Sequence, residues 1–162
     1  MRVKMLAIFS SLFILLVVLF FYSSHQQKTI KLPFKCIYST DYVFQQNKKT
    51  LRMHVTHDLR LYDASTGYFL MNGDTVIDNV TYQIRRSFTL KDIREEQGKT
   101  FQAAIVKTDP MTGDSIPDAL FNTLLQEYQI SNDNLQIDFF HLHFRTWLVG
   151  GPYAFISVCQ RY

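Results

Sequence analysis

The chain lacks the short motifs that mark most enzymes. It has no GxSxG, no Walker phosphate loop and no HExxH, so serine-hydrolase, nucleotide-hydrolase and zinc-protease chemistry have no foothold in the sequence. Its acidic residues are scattered, and Glu95-Glu96 beside Arg94 reads as a solvated turn. No enzymatic activity and no cofactor are expected. A dense Lys/Arg stripe is missing as well, which argues against direct nucleic-acid contact. There is no internal repeat and no low-complexity run, and aromatics at 15% of residues rule out a disordered tail. Cysteine is confined to Cys36 and Cys159, near the two ends of the folded part, and neither lies in a CxxC or next to a candidate base. In an oxidising compartment such a pair reads as a disulfide, two buried free thiols being the other reading.

One long apolar run is present. Residues 5–22 carry no charge and would make roughly 27 Å of helix, enough to span a bilayer. A secretory signal has a shorter apolar core, about 7–15 residues, and small residues before its cleavage site. Here Phe21 and Tyr22 stand at that place, so an uncleaved anchor is expected over a long signal peptide. Arg2 and Lys4 crowd the start of the span, which favours a cytoplasmic N-terminus. The expected organisation is a stub at 1–4, an anchor at 5–22, a periplasmic stalk at 23–31 and a periplasmic domain at 32–162. A four-residue stub cannot fold into a kinase or a DNA reader. Any influence on the cytoplasm must pass through a partner in or across the inner membrane.

Without Arg2 and Lys4 the chain holds 15 basic and 14 acidic residues, a net charge of +1. Protonating all five histidines would move that to +6, a large change for a small domain, and imidazoles titrate near ~6.5.

Alternation dominates from residue 34 onward and signals strands. Phe34, Cys36, Tyr38, Tyr42 and Phe44 share a face, as do Leu51, Met53 and Val55, and then Val80, Tyr82, Ile84, Phe88 and Leu90. Asn72-Gly73 predicts a hairpin turn, and Gly150-Gly151 a second. Ser115-Ile-Pro-Asp118 resembles a capping box, followed by Leu120, Phe121, Leu124, Leu125 and Tyr128 at helical spacing. In "LQIDFFHLHFRTWLV" the apolar parity changes after Phe139, which predicts a bulge there. The fold expected is mainly β (α+β): a strongly curved antiparallel sheet or lipocalin-like barrel of about seven strands with one amphipathic helix. If the sheet stays open, its edge is a docking place for a partner strand.

The residues with chemistry to offer are few. His54, His57, His141 and His143 are candidate pH-sensing groups, and His141-Leu-His143 places two imidazoles on one side of a strand, a spacing that can also hold zinc. No metal is assigned. Arg86 has inward parity and is a candidate inward charge, with Asp78 as one possible partner. Tyr38, Tyr42, Phe44, Tyr82 and Phe155 are candidates to line an apolar cavity, a list that equally describes an ordinary core.

The layout resembles the FidL-like membrane proteins of enterobacteria. The likeness rests on the basic stub, one span, an early cysteine, Tyr82-x-Ile-Arg85-Arg86, Asp114-x-x-Pro117 and Trp147…Gly150-Gly151-Pro152…Cys159. That resemblance implies an accessory regulator in virulence or fimbrial gene expression. Its partner would be a membrane-spanning ToxR-like transcription activator with a cytoplasmic winged helix, accompanied as ToxS accompanies ToxR, in a heterodimer that conveys acid pH or temperature. It also implies a lipocalin-like barrel able to hold a small-molecule, bile-salt-like amphiphile. A fimbrial assembly factor is the other alternative.

Overall fold

The computed structural model describes residues 11–19, 22, 30–46, 49–97 and 99–162. The expected stub, His25, and parts of the expected anchor and stalk lie outside the described residues. The chain divides into two compact units, Met1–Ile30 and Lys31–Tyr162. In the first, residues 11–19 are helical. Among the described residues no helix is long and apolar enough to cross a membrane.

The second unit is an antiparallel meander. Its elements are β1 (Phe34–Gln46), β2 (Lys49–Leu61), β3 (Gly67–Ile77), β4 (Val80–Glu96), β5 (Thr100–Pro110), α1 (Asp118–Leu125), β6 (Gln129–Ser131), β7 (Asn134–His143), β8 (Thr146–Gly150) and β9 (Phe155–Arg161). The sheet runs β5-β4-β3-β2-β1-β9-β8-β7-β6, and β5 also pairs with β7. That last pairing, Thr100 to Ala104 against Asp138 to Asn134, closes eight strands into a ring. β6 is a short appendage on β7. The expected curled sheet is therefore a closed barrel, and closure removes most of the free edge that an open meander would carry.

Period-two alternation fills the barrel. Phe34, Cys36, Tyr38 and Tyr42 from β1, Leu51 to Leu61 at odd positions from β2, Phe69 and Met71 from β3, Ile84 and Phe88 from β4, and Leu135, Ile137 and Phe139 from β7 are all buried. α1 lays Phe121, Leu124 and Leu125 on the interior. Phe121 stacks on Phe88 at 5.7 Å, while Phe34 meets Phe139 edge-on at 5.1 Å. Cys36 and Cys159 form the disulfide, Cα atoms 5.7 Å apart, tying β1 to β9.

Closure is uneven around the ring. β1 pairs with β2 along its whole length, but with β9 only at Cys36↔Arg161 and Ile37↔Gln160. Ser157 Oγ still donates to Ser39 O at 2.9 Å. Beyond that point, among the described residues, no strand covers the β9-facing edge of β1. A seam opens there, about 20 Å long for six residues of strand.

Four sequence expectations need correction. The hairpin after β3 is made by Asp78 and Asn79, both at positive φ (49° and 65°), the residue pattern of a primed turn. Asn72-Gly73 lies inside β3, where a Cβ on Gly73 would sit 2.0 Å from His54 O; the glycine admits β2 rather than turning the chain. The sequence 135–149 is not one strand but β7 and β8, joined at Phe144-Arg145, with Arg145 at φ 57°. The register shift in that hairpin falls between His141 and His143, and nothing swaps at Phe139: Phe140, Leu142 and Phe144 simply face outward and stay exposed. Finally, α1 has no side-chain cap. Ser115 and Asp118 are engaged elsewhere.

Candidate functional site

The polar interior of the barrel is a chain of three tyrosines and one histidine. Tyr38 Oη donates to Tyr128 Oη at 2.9 Å, Tyr128 and Tyr42 meet at 2.7 Å, and Tyr42 reaches His57 Nε2 at 2.9 Å. Alternation puts Tyr38 and Tyr42 on the inner face of β1, and His57 stands opposite Tyr38 on β2. Tyr128 follows α1, held by Tyr128 N donating to Leu125 O and by Gln136 N donating to Tyr128 O. The β8–β9 turn closes over that segment so tightly that a Cβ on Gly151 would overlap Glu127 O.

Proton counting fixes the direction of the chain. Tyr38 donates to Tyr128; each remaining hydroxyl then has one acceptor only if Tyr128 donates to Tyr42 and Tyr42 to Nε2. This assigns His57 as a neutral imidazole with its proton on Nδ1. Nδ1 is buried and has no partner among the described residues; Thr40 Oγ1 is the other such side-chain atom. The ring is clamped by aromatics, stacked on Tyr38 at 4.7 Å and on Phe69 at 5.6 Å. Burial lowers the His57 pKa to about 3. Burial likewise raises Tyr38, Tyr42 and Tyr128 above the ordinary phenol value. The whole hydrogen-bonded chain is neutral in the folded barrel around neutral pH, as an unscreened charge in that setting would be costly.

A second cluster fixes the helix. Arg86 is inward, as its parity requires, and 7% exposed. Its partners are Asp114 (3.1 Å), Asp118 (2.7 Å) and the Ile116 carbonyl (3.0 Å), with the Phe121 ring 4.4 Å away. Asp78, the partner named from sequence, is in the β3–β4 turn instead. Asp114 also accepts from Arg85 N at 2.8 Å and Ser115 Oγ from Gln83 N at 2.9 Å. The side chains expected to cap α1 thus stitch its leading loop to β4.

The four histidines do not converge. His54 lies outside on β2 and contacts Asp41 at 2.6 Å, whereas His57 is inside. His141 and His143 belong to β7, diametrically opposite β2, with three strands between them either way around the ring. The bulge between them parts their faces: the His141 ring meets Trp147 at 4.7 Å, while His143 is exposed. His57 does not charge in mild acid while the barrel is folded, contrary to the sequence expectation, because the unscreened interior opposes it. The five candidate cavity residues also fail to share a space. Tyr38 and Tyr42 belong to the hydrogen-bonded chain, Phe44 stacks on Tyr42 at 5.8 Å, Tyr82 is half-buried and Phe155 is exposed.

Sequence reasoning missed Tyr128, which it counted as one more apolar position of a helix stripe. The available signal was its hydroxyl, since a buried tyrosine needs a partner and β1 offered two on one face.

Residues 73–159, more than half of the chain, match a family described as "FidL-like putative membrane protein". No curated protein matches the chain.

Proposed function

The chain belongs to the FidL-like family of membrane proteins, and from that premise we propose that it is an accessory subunit of a membrane-bound transcription activator. In this reading residues 5–22 anchor it once in the bacterial inner membrane, N-terminus inside, and the barrel stands in the periplasm. There it binds and stabilises the outer segment of a single-span, winged-helix activator and helps convey acid pH or temperature to fimbrial or virulence genes. The narrower likeness is to the PsaF/MyfF type of accessory regulator of pH 6 antigen-type fimbriae, with a PsaE/MyfE-like activator as partner.

The observation that supports this reading is the seam. The edge of β1 from residue 40 to 45 offers unpaired backbone donors and acceptors for an added strand. Natural edges are guarded by lysine, proline or bulges. The other partly free edge, β5 beyond Ala104, carries Lys107 and Pro110; the β1 edge has neither, only Asp41, and presents Val43 at 55% exposure. A ligand-filled barrel is disfavoured, since aromatic rings and the tyrosine–histidine chain already occupy the interior.

The test is site-specific photocrosslinking in cells. A benzophenone side chain at Val43 should capture a single-span winged-helix protein, and one at Asn72, outward on β3, should not. Deleting the gene should lower both the activator's level and its target transcripts. Normal transcripts with defective fimbriae would mean an assembly factor, and equal capture at both positions would remove the seam from the argument.

A further inference from the structure

The outer surface of the barrel is split by sequence parity. On β2, β3 and β4 the outward positions are mostly polar, Arg52, His54, Asn72, Asp74 and Arg85 among them, with Tyr68 and Val76 as exposed exceptions on β3. On β7, β8 and β9 the middle outward positions are apolar, flanked by Gln136 and Asp138 on β7, Thr146 on β8 and Gln160 on β9. Phe140 stands opposite Leu148, and Leu148 opposite Val158, so one apolar row crosses three strands. Ile37 extends it onto β1 and Leu142 down β7. Phe140 and Val158 are each 50% exposed, and Phe144 at the β7–β8 tip is 72% exposed. Scattered surface hydrophobics need no explanation, but a contiguous face does.

Two observations say what covers it. The face reaches the end of the barrel where the chain enters: the ring of Phe34, first residue of β1, packs on Phe139 and Trp147 at 5.1 and 6.0 Å, level with the β7–β8 hairpin. The polypeptide leading back to the apolar run at 5–22 leaves from that same end. Cations also flank the aromatics, Lys99 Nζ lying 6.0 Å from the Phe140 ring and the Arg145 guanidinium 5.6 Å from Phe144. Glu95 and Glu96 at that end belong to β4, with β5 between them and β7, and Asp63 lies in the β2–β3 loop across the ring; on β7 itself Asp138 accepts from Thr100 Oγ1 at 2.7 Å. Exposed aromatics interleaved with Arg and Lys match a bilayer interface, where rings sit at the headgroup level and cations meet phosphates.

We propose that the β7–β9 face of the barrel rests on the anionic phospholipid surface of the membrane that anchors the chain, with Phe144 and Leu142 in the headgroup region and Lys99 and Arg145 on lipid phosphates. The mostly polar β2–β4 wall of the barrel then faces away from the bilayer. The proposal needs the anchor but not the activator.

The full chain, reconstituted without partner in nanodiscs of phosphatidylethanolamine and phosphatidylglycerol, tests it. Trp147 is the single tryptophan and is buried, so it gives a fixed background. A Phe144→Trp reporter should be quenched by brominated lipid at least about twofold more strongly than a Val43→Trp reporter on the far part of β1. Lys99→Glu with Arg145→Glu, or discs of zwitterionic lipid alone, should bring the two reporters level; all these positions are exposed, so folding is preserved. Equal quenching of both reporters in anionic discs overturns the proposal. So does a Phe144→Trp signal that changes only when two chains share a disc, or only when an activator is added, which would give the face to a second copy or to the protein partner.

Discussion

His57 makes the barrel acid-labile, by an amount that can be worked out. Its pKa is 6.5 when exposed and about 3 in the folded state. The group is depressed on folding, so the unfolded chain binds the proton first. The stability it permits is complete above about pH 6.5 and is lost progressively as pH falls toward 3. At 1.36 kcal/mol per unit the loss is about 2 kcal/mol at pH 5, a factor of roughly 30 in the unfolding constant. Urea denaturation of residues 31–162, one compact unit, followed by Trp147 fluorescence, would measure it. His57→Phe keeps a ring between Tyr38 and Phe69 and removes the unpaired Nδ1–H, whose burial costs about 1–3 kcal/mol, while Tyr42 loses its acceptor. The two effects oppose each other near neutral pH. The variant should therefore be close to wild type at about pH 7.5 and more stable by about 2 kcal/mol at pH 5. The difference between the two proteins cancels His54, His141 and His143, which both retain. An identical gap at both pH values would refute the assignment of a neutral, buried imidazole.

Three other perturbations follow from the packing. Arg86→Met leaves Asp114, whose side chain is only 7% exposed, buried without its cation and should cost about 3–5 kcal/mol in urea unfolding, whereas Arg86→Met with Asp114→Leu should recover most of it. Replacing both Cys36 and Cys159 by serine opens a loop of sequence separation 123; about 5 kcal/mol should be lost, and hydrogen exchange should rise first in β9 and the start of β1. Gly73→Ala forces a methyl group against His54 O and should destabilise by about 1–3 kcal/mol in urea unfolding.

The inner faces of β1, β2 and most of β4 were legible, because burial on one side imposes period two and Phe34 to Phe44 or Leu51 to Val55 cannot satisfy any other geometry. Arg86 pointing inward was legible for the same reason. Its partners were not, as Asp114 and Asp118 lie about thirty residues away and meet it only once the loop before α1 folds back on β4. The turns were misplaced where a residue had two uses. Gly73 has the composition of a turn and the task of clearance between strands. A barrel was one of the two forms expected, but which strands close the ring was invisible, since closure depends on β5 meeting β7 across the helix. Phe140, Leu142 and Phe144 misled for a different reason: apolar residues were assumed to be inside, and the rule runs only from burial to apolarity.

The seam and the buried imidazole are two aspects of one strand. For His57 to take a proton it must reach water, and it is roofed by Tyr38 and Tyr42, both carried by β1. In the backbone ladder the half of β1 beyond Ile37 pairs with β2 alone, with the side-chain bond from Ser157 as its last tie to β9 and the Tyr38 and Tyr42 bonds to Tyr128 holding it from inside. Release of that half uncovers the ring by breaking the β1–β2 ladder there and the Tyr38 and Tyr42 bonds to Tyr128, and local openings of this kind dominate exchange below the global unfolding energy. Each such opening binds one proton below about pH 6.5. Amide exchange in residues 40–45 should accordingly speed up between about pH 7 and pH 5, after correction for intrinsic chemistry, while β3 and β4 follow global unfolding. A strand added at the edge would bind the closed form and oppose the proton by mass action. Acid and partner then compete for β1, and His57→Phe should abolish the pH dependence of exchange there without closing the seam. Uniform acceleration across all strands would sever the two.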